Sequence, residues 1–108
     1  MTDKRIVLTT AGSHSEAHKI AHALVEQRLA ACVNIVPQVE SIYRWQGAVE
    51  TSQEWLLIVK TAASRLARLQ QEVRKLHSYE LPEFIVLGVE DGSKEYLDWL
   101  EESVKSAL

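Results

Sequence analysis

His77-Ser-Tyr-Glu-Leu-Pro-Glu83 stands directly before the apolar run Phe84-Ile-Val-Leu87, where a helical pattern gives way to a strand pattern. Leu81 precedes Pro82, and this position pushes the Leu81 backbone toward extended geometry. Pro82 has no backbone N–H to donate, so it suits the first residue of a strand or an edge strand. The stretch therefore predicts a helix end and a strand start close together. Three polar side chains are held near that strand start: His77, Tyr79 and Glu83.

Two interpretations of this junction are open from its own residues. It is either a polar or metal-binding site, since imidazoles and carboxylates are common metal ligands, or a plain change from helix to strand. In the second case His77 ends a helix, where a histidine interacts favourably with the helix dipole. One histidine and one glutamate make half of a typical metal site, so the local residues alone favour the second interpretation.

The N-terminal part of the chain predicts one strand and one helix. Residues 5–10 are rich in β-branched and apolar side chains, and Gly12-Ser13 ends that run. From Ser15, a candidate N-cap, apolar residues recur at helical spacing as far as about Leu29. The apolar positions are Ala17, Ile20, Ala21, Leu24 and Val25.

The middle of the chain predicts a hairpin of two strands. Residues 31–45 are β-branched and aromatic, with Pro37 marking a bend or bulge. Gln46-Gly47 supplies a turn, and residues 55–59 form a nearly unbroken apolar strand. Residues 50–54 leave open a longer loop between the two strands.

The C-terminal part completes a βαββαβ order with one added helix. Residues 64–77 predict the second helix and residues 84–89 the fourth strand, and Asp91-Gly92-Ser93 then precedes a closing helix. This order is typical of an α+β, ferredoxin-like sandwich with its helices on one sheet face. The other face needs a cover, because strands that carry Tyr43, Trp45 and Trp55 would expose a large aromatic surface. We therefore expect the chain to associate with itself.

Composition limits the class of protein. The 108 residues fit one domain spanning 1–108, with 46% hydrophobic and 25% charged residues and a formal net charge of -3. Scattered Lys and Arg residues give no basic surface for nucleic acid, and no apolar stretch is long enough for a membrane span or a signal peptide. We expect a cytoplasmic protein. Cys32 is the single cysteine, and its apolar neighbours predict an inert, buried thiol.

Four stretches together resemble the CutA divalent-cation tolerance family. These are residues 29–35, 41–47, 57–61 and 77–83, which occur in the family's order. The resemblance runs over nearly the whole chain. It implies a homotrimer of ferredoxin-like subunits whose long hairpins pair between neighbours, as in PII-like signalling proteins. It also implies a cytoplasmic protein linked to copper and other divalent cations, with no established catalytic reaction.

The resemblance places candidate metal ligands at His77 and Glu83. Some family members carry a cysteine in the first strand, where this chain has Thr9-Thr10. Without that thiolate, imidazole and carboxylate favour Cu(II) or Zn(II) over Cu(I). Ser78 and Gly88 also stand where the family commonly has proline, and neither change removes a ligand.

The same resemblance implies an intersubunit cleft. Its walls would be formed by Lys60, Tyr43, Trp45, Tyr79 and Trp99. A lysine among aromatic side chains can hold a small anion through a carboxylate or phosphate group. The alternative is that the aromatic residues only anchor a subunit interface and that Lys60 pairs with a nearby acid.

The remaining histidines offer a weaker signal. His18 and His22 share a helical face at i and i+4, a spacing that can chelate a metal. They lie on the flank of the apolar stripe, so solvated side chains are the favoured interpretation. His14 is expected in the loop before the helix.

The sequence favours a binding protein over an enzyme. It offers no nucleophile beside a base and no glycine-rich phosphate loop, and no organic cofactor is implied. The leading hypothesis is a non-enzymatic trimer that binds copper or another divalent cation. Two alternatives stay open: a PII-like trimer that binds a small anionic metabolite, and a trimeric scaffold for a protein partner.

Overall fold

The computed structural model describes residues 1–106 and contains one four-stranded antiparallel sheet, in the order β2-β3-β1-β4. The α+β, ferredoxin-like order with an added C-terminal helix is confirmed. The strands are β1 Lys4–Ala11, β2 Cys32–Trp45, β3 Ala48–Ala62 and β4 Ile85–Gly88. The helices are α1 His14–Glu26, α2 Leu66–Leu76 after a 3₁₀ turn at Ala63–Arg65, and α3 Lys94–Ser103.

The predicted ends of α1 are wrong at both termini. The N-cap is Ser13 rather than Ser15, because the Ser13 hydroxyl accepts the backbone N–H of Glu16 at 3.1 Å. His14 is therefore the first helical residue and not part of the loop. The helix stops at Glu26, before the predicted Leu29, and Arg28 adopts a left-handed φ of 61° just beyond it.

The hairpin is longer than its sequence pattern indicated. Gln46 and Gly47 form a two-residue turn with φ values of 50° and 83°, as a type I′ turn requires. Strand β3 starts at once, and Glu50 pairs with Tyr43. The longer loop at residues 50–54 was a wrong alternative, since cross-strand pairing holds these polar residues in the ladder.

The predicted bulge at Pro37 is confirmed. The register of β2 against β3 shifts between Val36 and Val39, and Gln38 has a φ of 58°. Proline cannot donate to the ladder, so the strand leaves the pairing here and resumes beyond it. From Glu40 to Gln53 no residue is buried, and the hairpin extends the molecule to 44 Å along its longest axis.

Helices α1 and α2 cover one face of the sheet, as predicted. Their buried residues pack on Val7, Leu57 and Val59, which alternate toward that face. The helix residues in this core are Ala17, Ile20, Ala21, Leu24, Leu69 and Val73. Leu100 and Val104 of the C-terminal region pack separately with Ala31 and Ala62.

The opposite sheet face is apolar and only partly covered. Among the described residues, α3 contacts it at one end, where Tyr96 lies against Cys32 and Leu100 packs with Ala62. Leu8 pairs with both Ile58 and Ile85, so these side chains lie on the face away from the two-helix core. Ile85 remains 49% exposed. This surface fits the expected self-association, which stays a prediction. In the part of the chain that the structure covers, no helix is long and apolar enough to cross a membrane.

Candidate functional site

His77 caps the C-terminus of α2, and its imidazole is fully buried. Its Nε2 lies 2.6 Å from the carbonyl oxygen of Thr10, to which it donates. Its Nδ1 accepts the backbone N–H of Tyr79 at 3.1 Å and lies 3.3 Å from Glu16 Oε1. Both ring nitrogens therefore have protein partners, and the ring joins three separate segments of the chain.

Tyr79 reaches from this histidine to β3. Its ring centroid lies 4.7 Å from that of His77, and its hydroxyl donates to Glu54 Oε2 at 2.8 Å. Burial raises the pKa of Tyr79 well above its usual range, and the hydrogen bond to the Glu54 carboxylate raises it further. A Cβ at Gly12 would lie 2.9 Å from the Tyr79 hydroxyl. The absence of a side chain at Gly12 lets the phenol reach Glu54.

Glu54 and Glu83 form the acidic part of the site. Glu54 is buried, at 7% exposure, whereas Glu83 is open to solvent. Partial desolvation raises the pKa of Glu83, and the negative charge of Glu54 adds to this effect. These two carboxylates repel one another close to solvent, and a bound cation would remove that repulsion.

Glu54 was missed as a site residue by the sequence analysis. The sequence allows a loop at residues 50–54, whereas in the structure Glu54 pairs with Val39 across the hairpin. The signal that could have revealed it is strand alternation. Glu54 precedes Trp55, which packs against the helix core, and therefore faces the other way.

The structure gathers only part of the predicted residue set. His77, Tyr79 and Glu83 lie in one neighbourhood, and Tyr43 is near enough to influence the pKa of Tyr79. Within residues 1–106, no three His, Cys, Asp or Glu side chains converge to hold a metal ion. A complete metal site would therefore need water or a second chain.

The five predicted cleft residues do not form one cleft in a single chain. Lys60 lies opposite Cys32 on β2, whereas Tyr43 lies opposite Glu50 and Trp45 opposite Ala48. Ten residues of strand separate Lys60 from Glu50, which corresponds to roughly 33 Å. The shared cleft stays a prediction about neighbouring subunits.

Lys60 itself has an uncharged partner. Its ammonium group donates to Asn34 Oδ1. No carboxylate of the described residues forms an ion pair with it. The alternative that Lys60 pairs with a nearby acid is therefore not realised within the described chain.

Cys32 is not the inert core thiol that its neighbours suggested. It is partly exposed, and its Sγ lies 3.5 Å from the hydroxyl of Tyr96. The hydrogen bond to Cys32 raises the pKa of Tyr96, and burial contributes after it. Tyr96 in turn packs against Trp99, with ring centroids 5.3 Å apart. The alternation of β2 explains the error, because Val33 faces the core and Cys32 faces the opposite side.

Fold and site together define a small ferredoxin-like domain with a long hairpin and an acidic site beside a buried histidine. Residues 5–103 match the family model described as CutA1 divalent ion tolerance protein. The chain belongs to this family. The divalent-cation tolerance protein CutA of Thermus thermophilus is 52% identical over 100 residues, which cover 93% of this chain and 97% of that protein.

Other relatives differ in length and in described location. The chloroplastic CutA protein of Arabidopsis thaliana is 43% identical, over 94% of this chain and 56% of its own length. The solved structure of the periplasmic divalent cation tolerance protein CutA from Archaeoglobus fulgidus has a TM-score of 0.92 and 41% identity. That match covers 94% of this chain and 99% of the solved one. The cytoplasmic location expected from the sequence stays a prediction.

Proposed function

We propose that this chain is a non-catalytic, divalent-cation-binding protein whose cation site centres on Glu54 and Glu83. The observation that best supports this proposal is the environment of the Glu54 carboxylate. It is buried, its hydrogen-bond partner is the neutral phenol of Tyr79, and among the described residues it forms no ion pair. A buried carboxylate without a cationic partner is costly. A bound cation would supply that partner, in keeping with the family to which the chain belongs.

The ligand roles follow from accessibility. Glu83 meets the cation first because it is open to solvent, and Glu54 then binds from the buried side. His77, the other ligand suggested by the resemblance, can join only by giving up one of its two ring hydrogen bonds, to the Tyr79 N–H or to the Thr10 carbonyl. With an imidazole the site would favour Cu(II) or Zn(II); with carboxylates and water alone it would favour harder cations.

The homotrimer is part of the same proposal. The apolar sheet face carries Leu8, Ile58 and Ile85 outside the two-helix core, and a second chain placed there would bury them. A neighbour could also contribute a ligand that the single chain lacks.

The test is native mass spectrometry of metal-free protein during separate Cu(II) and Zn(II) titrations. Wild type is compared with Glu83→Gln and with Glu102→Gln, an exposed carboxylate far along the sequence from the site. We expect a trimer that takes up metal in multiples of its subunits, with one metal ion fewer per subunit in Glu83→Gln than in wild type and in Glu102→Gln. Equal uptake by all three proteins would refute the site, and a monomer alone would refute the trimer.

A second candidate function rests on Lys60. Its charge has no carboxylate partner in the described residues, so a small anion could provide one. Thermal unfolding with added phosphate or a small dicarboxylate tests this idea. Stabilisation of wild type but not of Lys60→Met would support the anion function. If neither cation nor anion binds, the trimeric scaffold for a protein partner is the remaining hypothesis.

A further inference from the structure

Helix α1 carries three histidines along its solvent face. His14, His18 and His22 follow one another at four-residue spacing, and all three are exposed. The buried stripe of the helix consists of other residues, namely Ala17, Ile20, Ala21 and Leu24. The histidines are therefore not needed for packing and keep their imidazoles available to solutes. We call these three residues the histidine ladder.

Neighbouring rings of the ladder are spaced almost as a chelate requires. The ring centroids of His14 and His18 are 6.1 Å apart, and those of His18 and His22 are also 6.1 Å apart. One metal bound to two imidazole nitrogens at about 2.1 Å brings the centroids to roughly 5 Å at a tetrahedral angle. The remaining difference of roughly 1 Å is within the reach of small side-chain rotations at exposed positions.

We propose that the histidine ladder is a second cation site of this protein, separate from Glu54 and Glu83. It would chelate one late first-row divalent cation, such as Cu(II), Ni(II) or Zn(II), through two imidazoles. Water would complete the coordination. Two histidines at i and i+4 on one helix face are a known metal-binding arrangement, and imidazole nitrogens suit these metals.

The ladder has a centre and a preferred end. His18 belongs to both pairs, so every two-imidazole chelate contains it. His22 has its Nδ1 3.2 Å from Glu26 Oε2. A carboxylate beside Nδ1 favours the proton on that nitrogen and leaves the Nε2 lone pair for a metal. The pair His18 and His22 is thus the stronger of the two.

The experiment uses the untagged protein, freed of metal, with Ni(II) as the probe. Binding is measured by calorimetric titration for wild type and for His14→Asn, His18→Asn and His22→Asn, with Glu83→Gln as the control for the other site. We expect His18→Asn to weaken Ni(II) binding by about a hundredfold, since the second imidazole of a chelate binds intramolecularly. His22→Asn should weaken binding more than His14→Asn, and both should bind more tightly than His18→Asn.

The Glu83→Gln control separates this proposal from the proposed function. Unchanged Ni(II) affinity in Glu83→Gln, together with the loss in His18→Asn, would support an independent site on the ladder. Wild-type affinity in His18→Asn would overturn the ladder, whatever happens at Glu83. Because the ladder positions are exposed, we expect these variants to stay folded, and circular dichroism of each variant checks this directly.

Discussion

The Nε2 atom of His77 and the carbonyl oxygen of Thr10 lie 2.6 Å apart, although 67 residues separate them in the chain. This hydrogen bond ties the end of α2 to the end of β1. The second ring nitrogen holds the backbone of Tyr79, which places the phenol against Glu54. His77 thus positions the acidic site, whether or not it also binds a cation.

Replacing His77 by alanine should lower the free energy of unfolding by about 2–4 kcal/mol. The change leaves a cavity and removes the partners of the Thr10 carbonyl and the Tyr79 N–H. The matched control is His22→Ala, an exposed histidine whose loss should cost within about 0.5 kcal/mol. Denaturant unfolding at one fixed chain concentration checks both. Equal effects of the two substitutions would show that the His77 bonds do not hold the fold.

Thr9 and Thr61 form a natural pair for testing buried hydroxyl groups. Both residues are fully buried, but in the described structure Thr9 Oγ1 has no partner, while the Thr61 hydroxyl donates to the Leu29 carbonyl at 2.6 Å. Thr9→Val should raise the free energy of unfolding by about 1 kcal/mol, and Thr61→Val should lower it by about 1–3 kcal/mol. Thermal or chemical unfolding distinguishes the two signs. A loss of stability in both variants would mean that Thr9 has a hidden partner.

Tyr79→Phe should lower the free energy of unfolding at neutral pH, and it should lower it less at alkaline pH. The pKa of Tyr79 is raised above its unfolded value of 10.0, so its contribution is complete below pH 10.0 and is lost as the pH rises through the folded value. The hydroxyl bond to Glu54 contributes about 1–3 kcal/mol at neutral pH. Unfolding at about pH 8 and about pH 11 should show a smaller gap between variant and wild type at the higher pH. A gap that does not change with pH would contradict the assignment.

Glu83→Gln should stabilise the metal-free protein at neutral pH. A carboxyl group whose pKa is raised in the folded state contributes stability below its unfolded value of 4.5, and this is lost as the pH rises through the folded value. The amide cannot ionise, so the variant avoids that loss. Saturating Zn(II) should reverse the ranking, because only wild type gains a cation at Glu54 and Glu83, whereas the histidine ladder is the same in both proteins. The ranking is measured by thermal unfolding with and without Zn(II), and an unchanged ranking would contradict the cation site.

Ile85→Glu should disrupt self-association. Ile85 lies on the apolar sheet face and is 49% exposed in the single chain. Val25→Glu is the control, since Val25 is 42% exposed on α1, which packs on the other face of the sheet. Light scattering after size-exclusion chromatography should give a reduced mass for Ile85→Glu and the wild-type mass for Val25→Glu. Identical masses would move the interface away from this face.

Much of the fold could be predicted from the sequence, because strand and helix periodicities depend on residues that are close together in the chain. Residues 31–45 and Gln46-Gly47 predicted the hairpin and its turn correctly. The polar stretch 50–54 was ambiguous because a strand that extends past the core has no apolar alternation to mark it. The end of α1 was missed because Arg28, not a glycine, adopts the left-handed conformation there.

The site was harder to predict, because it depends on contacts between residues that are far apart in the sequence. The sequence points to the His77 stretch, but the hydrogen bond of His77 to Thr10 and its close approach to Glu16 connect segments that no local pattern relates. Glu54 joins the site only through the hairpin register. Residues such as Lys60 and Tyr43 need a second chain before they could share a cleft, and one sequence cannot supply its geometry.

The unburied segment from Glu40 to Gln53 has a consequence for how the protein acquires its shape. An isolated two-stranded ribbon is marginally stable in water. No residue of this ribbon is buried against a helix that could stabilise it. Its backbone amides would then exchange with solvent far faster in a lone chain than those of Val7 or Val59. We therefore expect this part of the hairpin to become rigid last, when it packs against a neighbouring chain.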